Sequence, residues 1–268
     1  PHGSRNPQGS VETLSDARAR FHSIRSFCVY YGYGETERLQ AYDAVIVEPG
    51  GRQADDVRRL QAAGTMVLAY VSVMEISAHD EFCRLLKEED FLRNAQGGRL
   101  RNAEYGTELI SIASKRWRGL LQHRIGGFLH QQGYDGVFLD TIANAEWGHL
   151  ADRGTEEIAA AAGFVSELRA LFPDRIMVQN NGVVRLIEET APHIDAVVWE
   201  NPPAADKRMQ RYAERLAERL AEWSRRHRFR VLVLEELPSA DWGKAEALAR
   251  AHGFFYAAAP KLYLAMPD

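Results

Sequence analysis

Residues 133–141 read Gly-Tyr-Asp-Gly-Val-Phe-Leu-Asp-Thr, and this stretch decides the fold. Gly133 ends a charged segment with helical periodicity, where a glycine is typical of a helix C-cap. The apolar run that follows predicts a strand buried on both faces, as in a parallel sheet. The run ends in one carboxylate, Asp140. The chain therefore passes from a helix, through a buried strand, to a reactive side chain at the carboxyl end of that strand.

This alternation repeats along almost the whole chain. The amphipathic, helix-period segments are Asp55–Ala63, Lys115–Gln132, Glu156–Leu171 and Lys207–Arg228. The predicted strands are Phe27–Tyr31, Ala44–Glu48, Met66–Val73, Gly136–Asp140, Ile176–Asn180, Ala196–Glu200, Val231–Glu235 and Phe254–Ala258. Eight strands that alternate with helices predict an α/β fold, a single-domain (β/α)8 TIM barrel. The competing architecture is a doubly wound open sheet, but Tyr31–Glu35 matches its glycine-rich phosphate turn poorly.

Length and composition are consistent with one barrel. The chain has 268 residues, close to the roughly 250 that are typical of this fold. Its formal net charge of −4 argues against a nucleic-acid partner, which would require a basic stripe. No apolar stretch reaches the roughly 18 residues that cross a bilayer, so no membrane span is expected.

The start of the chain is polar and lacks the features of a signal peptide. Residues 1–20 are therefore expected to form a disordered lead-in, and residues 21–268 to form the barrel. We expect the protein to be a monomer.

Chemistry in such a barrel takes place at the carboxyl ends of the strands. Asp140 and Glu200 each end a predicted strand, and we predict that they are the catalytic pair. Glycosidic cleavage requires one carboxyl group that protonates the leaving oxygen and another that attacks C1 or activates water. Aromatic rings and amides at other strand ends suit sugar rings and hydroxyls. The predicted substrate-binding residues are Tyr30, Glu48, Tyr70, Ser72, Glu75, Asn144, Trp147, Asn180, Asn201, Glu235 and Tyr256.

Several of these residues also have a structural interpretation. Asp140 could cap the helix that follows it, and Glu200 could pair with a neighbouring cation. Glu235 and Glu236 are adjacent in a strand, so at most one of them points into the barrel. No serine lies in a nucleophile elbow, no histidine pair has metal-ligand spacing, and the two cysteines form no metal or disulfide framework. We expect neither a metal nor a cofactor, although a metal-dependent barrel remains an alternative.

Six blocks of sequence, taken in order, resemble a known family. The blocks are Tyr30-Tyr-Gly32, Asp43-Ala-Val-Ile-Val-Glu-Pro49, Val67-Leu-Ala-Tyr-Val-Ser-Val73, Gly133–Thr141, Asn180-Asn-Gly182 and Val197-Val-Trp-Glu-Asn201. Together they resemble the endo-α-1,4-polygalactosaminidases of glycoside hydrolase family 114 and the related hydrolase domain of the Pel-polysaccharide machinery. The likeness extends from about Phe27 to Tyr263, and the block Gly133–Thr141 is its most specific part.

The resemblance implies an endo-acting hydrolase of α-1,4-linked galactosamine or N-acetylgalactosamine polymers of an exopolysaccharide or biofilm matrix. It implies Asp140 as nucleophile and Glu200 as acid/base, so a retaining mechanism is expected, on a polysaccharide that can be cationic. It also implies a secreted or periplasmic location. Met74 stands where the family has a glycine and is expected to reshape a sugar subsite.

Two alternative functions remain open at the level of the sequence. One is a hydrolase of another α-linked polysaccharide, such as an α-galactoside. The other is a non-catalytic carbohydrate-binding barrel that keeps the groove without turnover.

Overall fold

The computed structural model describes residues 14–147, 150, 154–203, 206–238 and 243–267. Within these residues, eight parallel strands form one sheet in which each strand pairs with the next. They are β1 (Phe27–Tyr30), β2 (Ala44–Val47), β3 (Met66–Ser72), β7 (Gly136–Asp140), β8 (Ile176–Asn180), β9 (Ala196–Glu200), β10 (Arg230–Leu237) and β11 (Phe255–Pro260). Between β3 and β7, a small antiparallel sheet consists of β4 (Glu75–Ile76), β5 (Arg101–Asn102) and β6 (Thr107–Leu109).

The eight-stranded sheet curves until its first and last strands meet. Just beyond β1, the N–H of Tyr31 donates a hydrogen bond of 2.7 Å to the carbonyl of Tyr263, which follows β11. The sheet is therefore nearly closed, with helices between consecutive strands, and the predicted (β/α)8 barrel is confirmed.

The helices of the described chain are α1 (Leu14–His22), α2 (Thr36–Leu39), α3 (Ala54–Ala62), α4 (Lys115–Gly126), α5 (Gly154–Leu171), α6 (Leu186–Thr190), α7 (Lys207–His227) and α8 (Lys244–His252). Helices α2 and α6 have only four and five residues, too few for a periodic pattern to show in the sequence. Residues 14–20 were expected in the lead-in but belong to α1, whereas residues 1–13 lie outside the described part. None of the described helices is both long and apolar enough to cross a membrane.

Side chains alternate between two cores along the barrel strands. Inward-pointing residues such as Phe138, Val178 and Val198 fill the barrel, and their strand neighbours pack under the surrounding helices. Phe21 and Ile24, at and just after the end of α1, join the interior cluster and close the amino end of the barrel. The alternation decides which residue at each strand end points into the opposite, carboxyl-end mouth.

The amino end of the barrel holds a fully buried carboxylate, Asp195, just before β9. Arg18 of α1 and Arg169 of α5 each donate a hydrogen bond of 2.7 Å to it, and the N–H of Met177 donates one of 2.9 Å. Burial alone would raise the pKa of Asp195. The hydrogen bonds and charges around it, with the imidazole of His22 3.8 Å away, lower that pKa to about 2. Asp195 therefore ties two helices to the bottom of the sheet as a compensated charge.

The longest connection of the barrel, residues 73–114 between β3 and α4, carries the small sheet. Glu75 in this connection is buried and accepts hydrogen bonds from Asn102 at 3.1 Å, Thr107 at 2.5 Å and Asn144 at 2.9 Å. Since Asn144 follows β7, this carboxylate joins the small sheet to the mouth of the barrel.

Candidate active site

Three polar side chains end neighbouring strands at the mouth of the barrel. Asp140 ends β7, Asn180 ends β8 and Glu200 ends β9. Each stands two positions after a residue of the interior cluster, so the period of two along a strand directs all three side chains into the mouth. Because β8 lies between β7 and β9, Asn180 stands between the two carboxylates.

The residue after each of these strand ends has a left-handed backbone. The φ angles are 59° at Thr141, 53° at Asn181 and 48° at Asn201. Such conformations cost of order 1–3 kcal/mol and gather at functional sites. The hydroxyl of Thr141 compensates by accepting the N–H of Val73 at 3.0 Å and that of Met74 at 2.8 Å. These turns aim the chain away from the mouth directly after each functional side chain.

One amide bridges the two carboxylates. Nδ2 of Asn180 donates to Oδ1 of Asp140 at 2.7 Å and to Oε2 of Glu200 at 2.9 Å. Since both distances share one nitrogen, the two acceptor oxygens lie no more than 5.6 Å apart, the sum of the two. Asn180 uses both of its N–H bonds in this bridge, and its buried Oδ1 has no hydrogen-bond partner among the described residues.

Burial raises the pKa of Asp140 above its ordinary value. Hydrogen bonds from Asn180, the N–H of Thr141 and Tyr70 act in the opposite direction, and the charge of Glu75 adds to the increase. No cation among the described residues forms a salt bridge with Asp140, so the rise is not compensated as it is at Asp195.

Burial likewise raises the pKa of Glu200, and the charges of Asp140 and Glu236 add to that rise. Hydrogen bonds from Asn180 and from the hydroxyl of Tyr263 lower it in part. A carboxyl group with a raised pKa beside a second carboxylate is the arrangement that keeps one proton available for acid catalysis.

The segment after β11 carries Tyr263 to the site. Leu262 and Tyr263 have φ angles of 64° and 55°, an uncommon conformation for such bulky residues. The carboxylate of Glu236 accepts the N–H of Leu262 at 2.7 Å, which holds this strained segment at the end of β10. The ring of Tyr263 contacts that of Tyr31 edge to face, with centroids 5.4 Å apart.

A cleft of about 1220 Å³ opens above the three polar residues. Its lining is strongly acidic. The carboxylates that line it are Glu48, Glu75, Asp80, Glu81, Asp140 and Glu200. Among the described side chains that line it, the only lysine or arginine is Arg124, and both of its Nη atoms donate to Asp80, at 2.9 and 2.6 Å. The cleft is thus built to receive neutral or cationic groups.

The family model of glycoside-hydrolase family GH114 matches residues 11–216, most of the chain. The chain belongs to glycoside-hydrolase family GH114. It is therefore a glycoside hydrolase, and the family predicted from the sequence is confirmed. A comparison with curated protein sequences gives no match.

Solved structures share the fold of this GH114 chain. The glycoside hydrolase domain of PelA from Pseudomonas aeruginosa has a TM-score of 0.73 at 23% identity, covering 90% of this chain and 96% of that domain. Aspergillus fumigatus Ega3, solved in complex with galactosamine, has a TM-score of 0.66 at 15% identity. The match covers 89% of this chain and 90% of the Ega3 chain. The α-galactosidase TtGalA from Thermus thermophilus has a TM-score of 0.58 at 15% identity, and the match covers 90% of this chain and 59% of TtGalA.

Nine of the predicted site residues line the cleft of this GH114 barrel. They are Asp140, Glu200, Glu48, Tyr70, Ser72, Glu75, Asn144, Trp147 and Asn180. The hydroxyl of Ser72 donates a hydrogen bond of 2.9 Å to the backbone carbonyl of Glu75. The oxygens of Glu75 already accept protein donors, so its contribution to the cleft is structural support of the small sheet.

Four predicted substrate residues are not part of the cleft, and strand alternation explains three of them. Tyr30, Glu235 and Tyr256 point to the helix side, where the hydroxyl of Tyr256 donates to Glu235 at 2.5 Å. Asn201 turns away from the mouth, and its Oδ1 accepts the N–H of Glu236 at 2.9 Å. Met74, expected to reshape a subsite, is fully buried in the outer core instead.

The alternative roles considered for the catalytic pair find no support. The short helical turn after β7 begins behind Thr141, so Asp140 is not its cap. No described cation forms a salt bridge with Glu200. Among the described residues, no three histidine, cysteine or acidic side chains form a group that could hold a metal ion.

The residues that the sequence reasoning missed are Tyr31, Tyr105, Asn181, Glu236 and Tyr263. Tyr31 and Glu236 each stand one position after a predicted residue that points to the helix side, so alternation along the strand turns them toward the barrel interior. Tyr105 lies in the turn between β5 and β6 and Tyr263 in the short segment after β11, so neither belongs to the apolar strands that the sequence predicts.

Proposed function

We propose that this GH114 chain cleaves α-1,4-linked galactosamine or N-acetylgalactosamine polysaccharide at internal bonds, with retention of configuration. The observation that carries the retaining mechanism is the Asn180 bridge, which limits the two carboxylate oxygens to a separation of 5.6 Å. Retaining glycosidases hold their carboxyl groups about 5–5.5 Å apart, whereas inverting enzymes need about 6.5–9.5 Å to admit water between them.

In the first step, Asp140 attacks C1 of the sugar while the bond from C1 to the glycosidic oxygen breaks. Glu200 gives its proton to that oxygen, so the leaving chain departs as an alcohol. The hydrogen bonds from Asn180 and Tyr70 favour the ionised form of Asp140, against the burial that raises its pKa. The raised pKa of Glu200 keeps its proton available until the leaving oxygen develops charge.

In the second step, Glu200 takes a proton from water while the water oxygen bonds to C1. The bond between C1 and Asp140 breaks, and the nucleophile returns as a carboxylate. After the first step Asp140 carries no charge, which removes one of the influences that raise the pKa of Glu200. The pKa of Glu200 then falls, which suits its change from acid to base.

The acidic lining supports an amine-bearing substrate. Glu48 lines the cleft, and the structure gives its carboxylate one hydrogen bond, 3.3 Å from the N–H of Gly50. Burial raises the pKa of Glu48, the charge of Arg124 lowers it only in part, and the amine of a deacetylated sugar would provide a cation in direct contact. Galactosamine bound to the fold relative Ega3 favours the same chemistry. A cleft of about 1220 Å³ exceeds what one sugar ring needs and suits a polymer. Such a polymer would be met outside the cytoplasm, so we propose a secreted or periplasmic protein that acts as a monomer.

The test is release of reducing ends from partially deacetylated α-1,4-polygalactosamine by the wild type, Asp140→Ala and Glu200→Ala. The proposal predicts release by the wild type alone, while circular dichroism shows all three folded. NMR of the first product should show the α-anomer before mutarotation. A β-anomer would overturn the retaining mechanism.

The same assay separates the alternative functions. Wild-type activity on α-galactosides but not on galactosaminides would show that the substrate is an α-galactoside. An absence of release, together with polymer binding that survives Asp140→Ala, would indicate a carbohydrate-binding barrel.

A further inference from the structure

The turn between β5 and β6 reaches the mouth of the barrel. Residues 102–107, which we name the strap, lie far from the C-terminal segment in sequence. Nevertheless, Tyr105 of the strap lines the catalytic cleft together with Leu262 and Leu264. Glu104 beside it forms an ion pair of 3.8 Å with Lys261. The tip of the strap therefore meets the segment that carries Tyr263, on the Glu200 side of the catalytic pair.

The strap is fixed at both of its ends by one buried carboxylate. Asn102 and Thr107 each donate a hydrogen bond to Glu75. Both side chains of the ion pair at the tip are more than half exposed, and such pairs contribute only about 0–1 kcal/mol to stability. Glu75 and not the ion pair is thus the main anchor of the strap.

Tyr105 is 57% exposed although it lines a cleft. Burial of the hydroxyl, with the charges of Glu104, Glu236 and Glu200, raises the pKa of Tyr105 to about 12, which keeps the phenol neutral. Leu264 is exposed to a similar degree, 60%, on the same rim. Apolar faces left open on the rim of a sugar cleft are suited to stacking on a pyranose ring.

We propose that the strap builds a subsite for the sugar ring on the leaving-group side of the scissile bond, with Tyr105 as its stacking platform. The inference rests on the proposed function. Glu200 protonates the leaving oxygen, so the ring attached to that oxygen lies on the Glu200 side, where the strap meets Leu262 and Leu264. Tyr105 then determines specificity for chains over single sugars.

The experiment compares two substrates that share the same glycosyl group. A galactosamine oligosaccharide has a sugar as leaving group, whereas α-galactosaminyl fluoride leaves as fluoride and occupies no leaving-group subsite. We would measure kcat/KM on both for the wild type, Tyr105→Ala and Tyr105→Phe. Tyr33→Ala is the matched control, because Tyr33 is 80% exposed and does not line the cleft.

Tyr105→Ala should lower kcat/KM on the oligosaccharide about tenfold and leave the fluoride within twofold. Tyr105→Phe and Tyr33→Ala should match the wild type on both substrates. An equal loss on both substrates, or no loss on either, would overturn the subsite. A wild type inactive on both substrates would instead overturn the proposed function, so the two failures are distinguishable.

The anchor gives a second test. Asn102→Ala removes the hydrogen bonds of 3.1 and 3.3 Å from the strap to Glu75 and should reproduce the selective loss on the oligosaccharide. Since both changes act on one subsite, the double variant with Tyr105→Ala should lose little more than either alone. Fully additive losses would contradict a strap that acts by placing Tyr105.

Discussion

The two ends of the barrel treat a buried carboxylate in opposite ways. At the amino end, Asp195 has two arginines and a backbone N–H as partners, and its pKa is lowered to about 2. At the mouth, Asp140 and Glu200 have amide and phenol donors but no described cation, and the pKa of each is raised. In both environments burial by itself raises the pKa of the carboxyl group. The difference is whether positive charge is supplied.

Under the proposed function, this contrast separates the buried acid that stabilises the fold from the two that perform chemistry. A carboxylate paired with arginine stays ionised over the whole working range and stabilises what it joins. A carboxylate buried without a cation makes the folded state less stable and is poised to exchange a proton. The fold places the first kind where no ligand reaches and the second kind at the strand ends that form the cleft.

Among the variants that test this contrast, the largest effect is expected on the catalytic rate when Glu200 is replaced. Glu200→Gln should lower kcat on the polymer by about 10²–10⁴-fold, because it removes the general acid. It should still show a burst of fluoride from α-galactosaminyl fluoride, which needs no proton on its leaving group. Asp140→Asn should show no burst. A burst in Asp140→Asn but not in Glu200→Gln would reverse the two roles.

Neutralising the compensated acid should affect stability and not catalysis. Asp195→Asn leaves two arginines without their shared partner and should cost about 3 kcal/mol of unfolding free energy. Urea denaturation at pH 7 would measure this, with kcat/KM per folded molecule unchanged. A loss of activity without a loss of stability would contradict the division between the two ends.

The same residue predicts a pH dependence of stability. The pKa of Asp195 is about 2 in the folded chain and about 3.8 when unfolded, so its contribution is complete above about pH 3.8. It is lost as the pH falls from there through about 2, and amounts to about 2 kcal/mol. Denaturation curves of the wild type and Asp195→Asn should converge below this window. Curves that stay parallel down to pH 2 would contradict the assignment.

A smaller effect is expected from Tyr263, whose hydroxyl donates to Glu200. Because this hydrogen bond lowers the pKa of Glu200, Tyr263→Phe should raise that pKa. The alkaline limb of the kcat/KM profile, where Glu200 loses its proton, should move to higher pH. The optimum rate should fall by no more than about tenfold. An alkaline limb that stays in place would show that another group limits the profile.

The smallest effect compares two adjacent acids. The charge of Glu236 raises the pKa of Glu200, so Glu236→Gln should move the alkaline limb to lower pH, opposite to Tyr263→Phe. Glu235 lies on the helix side with Tyr256, so Glu235→Gln should leave the profile unchanged. Equal shifts in the two variants would refute the inward and outward assignment at β10.

The barrel, and the meeting of Asp140 and Glu200 at its mouth, were within reach of the sequence, because buried parallel strands are continuous apolar runs and a single acid ends each of two such runs. It was harder to assign which residues of a strand point into the barrel and which point to the helices. In β10 the residues before Glu235 are apolar on both faces, so nothing local tells which of Glu235 and Glu236 points inward. Counting in twos from the strand start would have been reliable only with the register of the barrel known.

The residues that complete the site could not be predicted, because they depend on contacts between distant segments. Tyr105 lines the cleft because Glu75 holds the strap, and Tyr263 does so because Glu236 binds a strained backbone. Asn180 was predicted to bind substrate, whereas its amide nitrogen bridges the two acids. Such bridges depend on which strands become neighbours, since sequence shows that an amide ends a strand but not which side chains it faces.

Helix α1 closes the amino end of the barrel with Phe21, so in the described structure the mouth serves both the attacking water and the departing chain. In the retaining mechanism proposed above, the leaving chain and the attacking water therefore share one opening. A leaving chain that stays bound beside Tyr105 would compete with water for the sugar on Asp140, and its transfer back to that sugar would appear as oligosaccharides longer than the substrate.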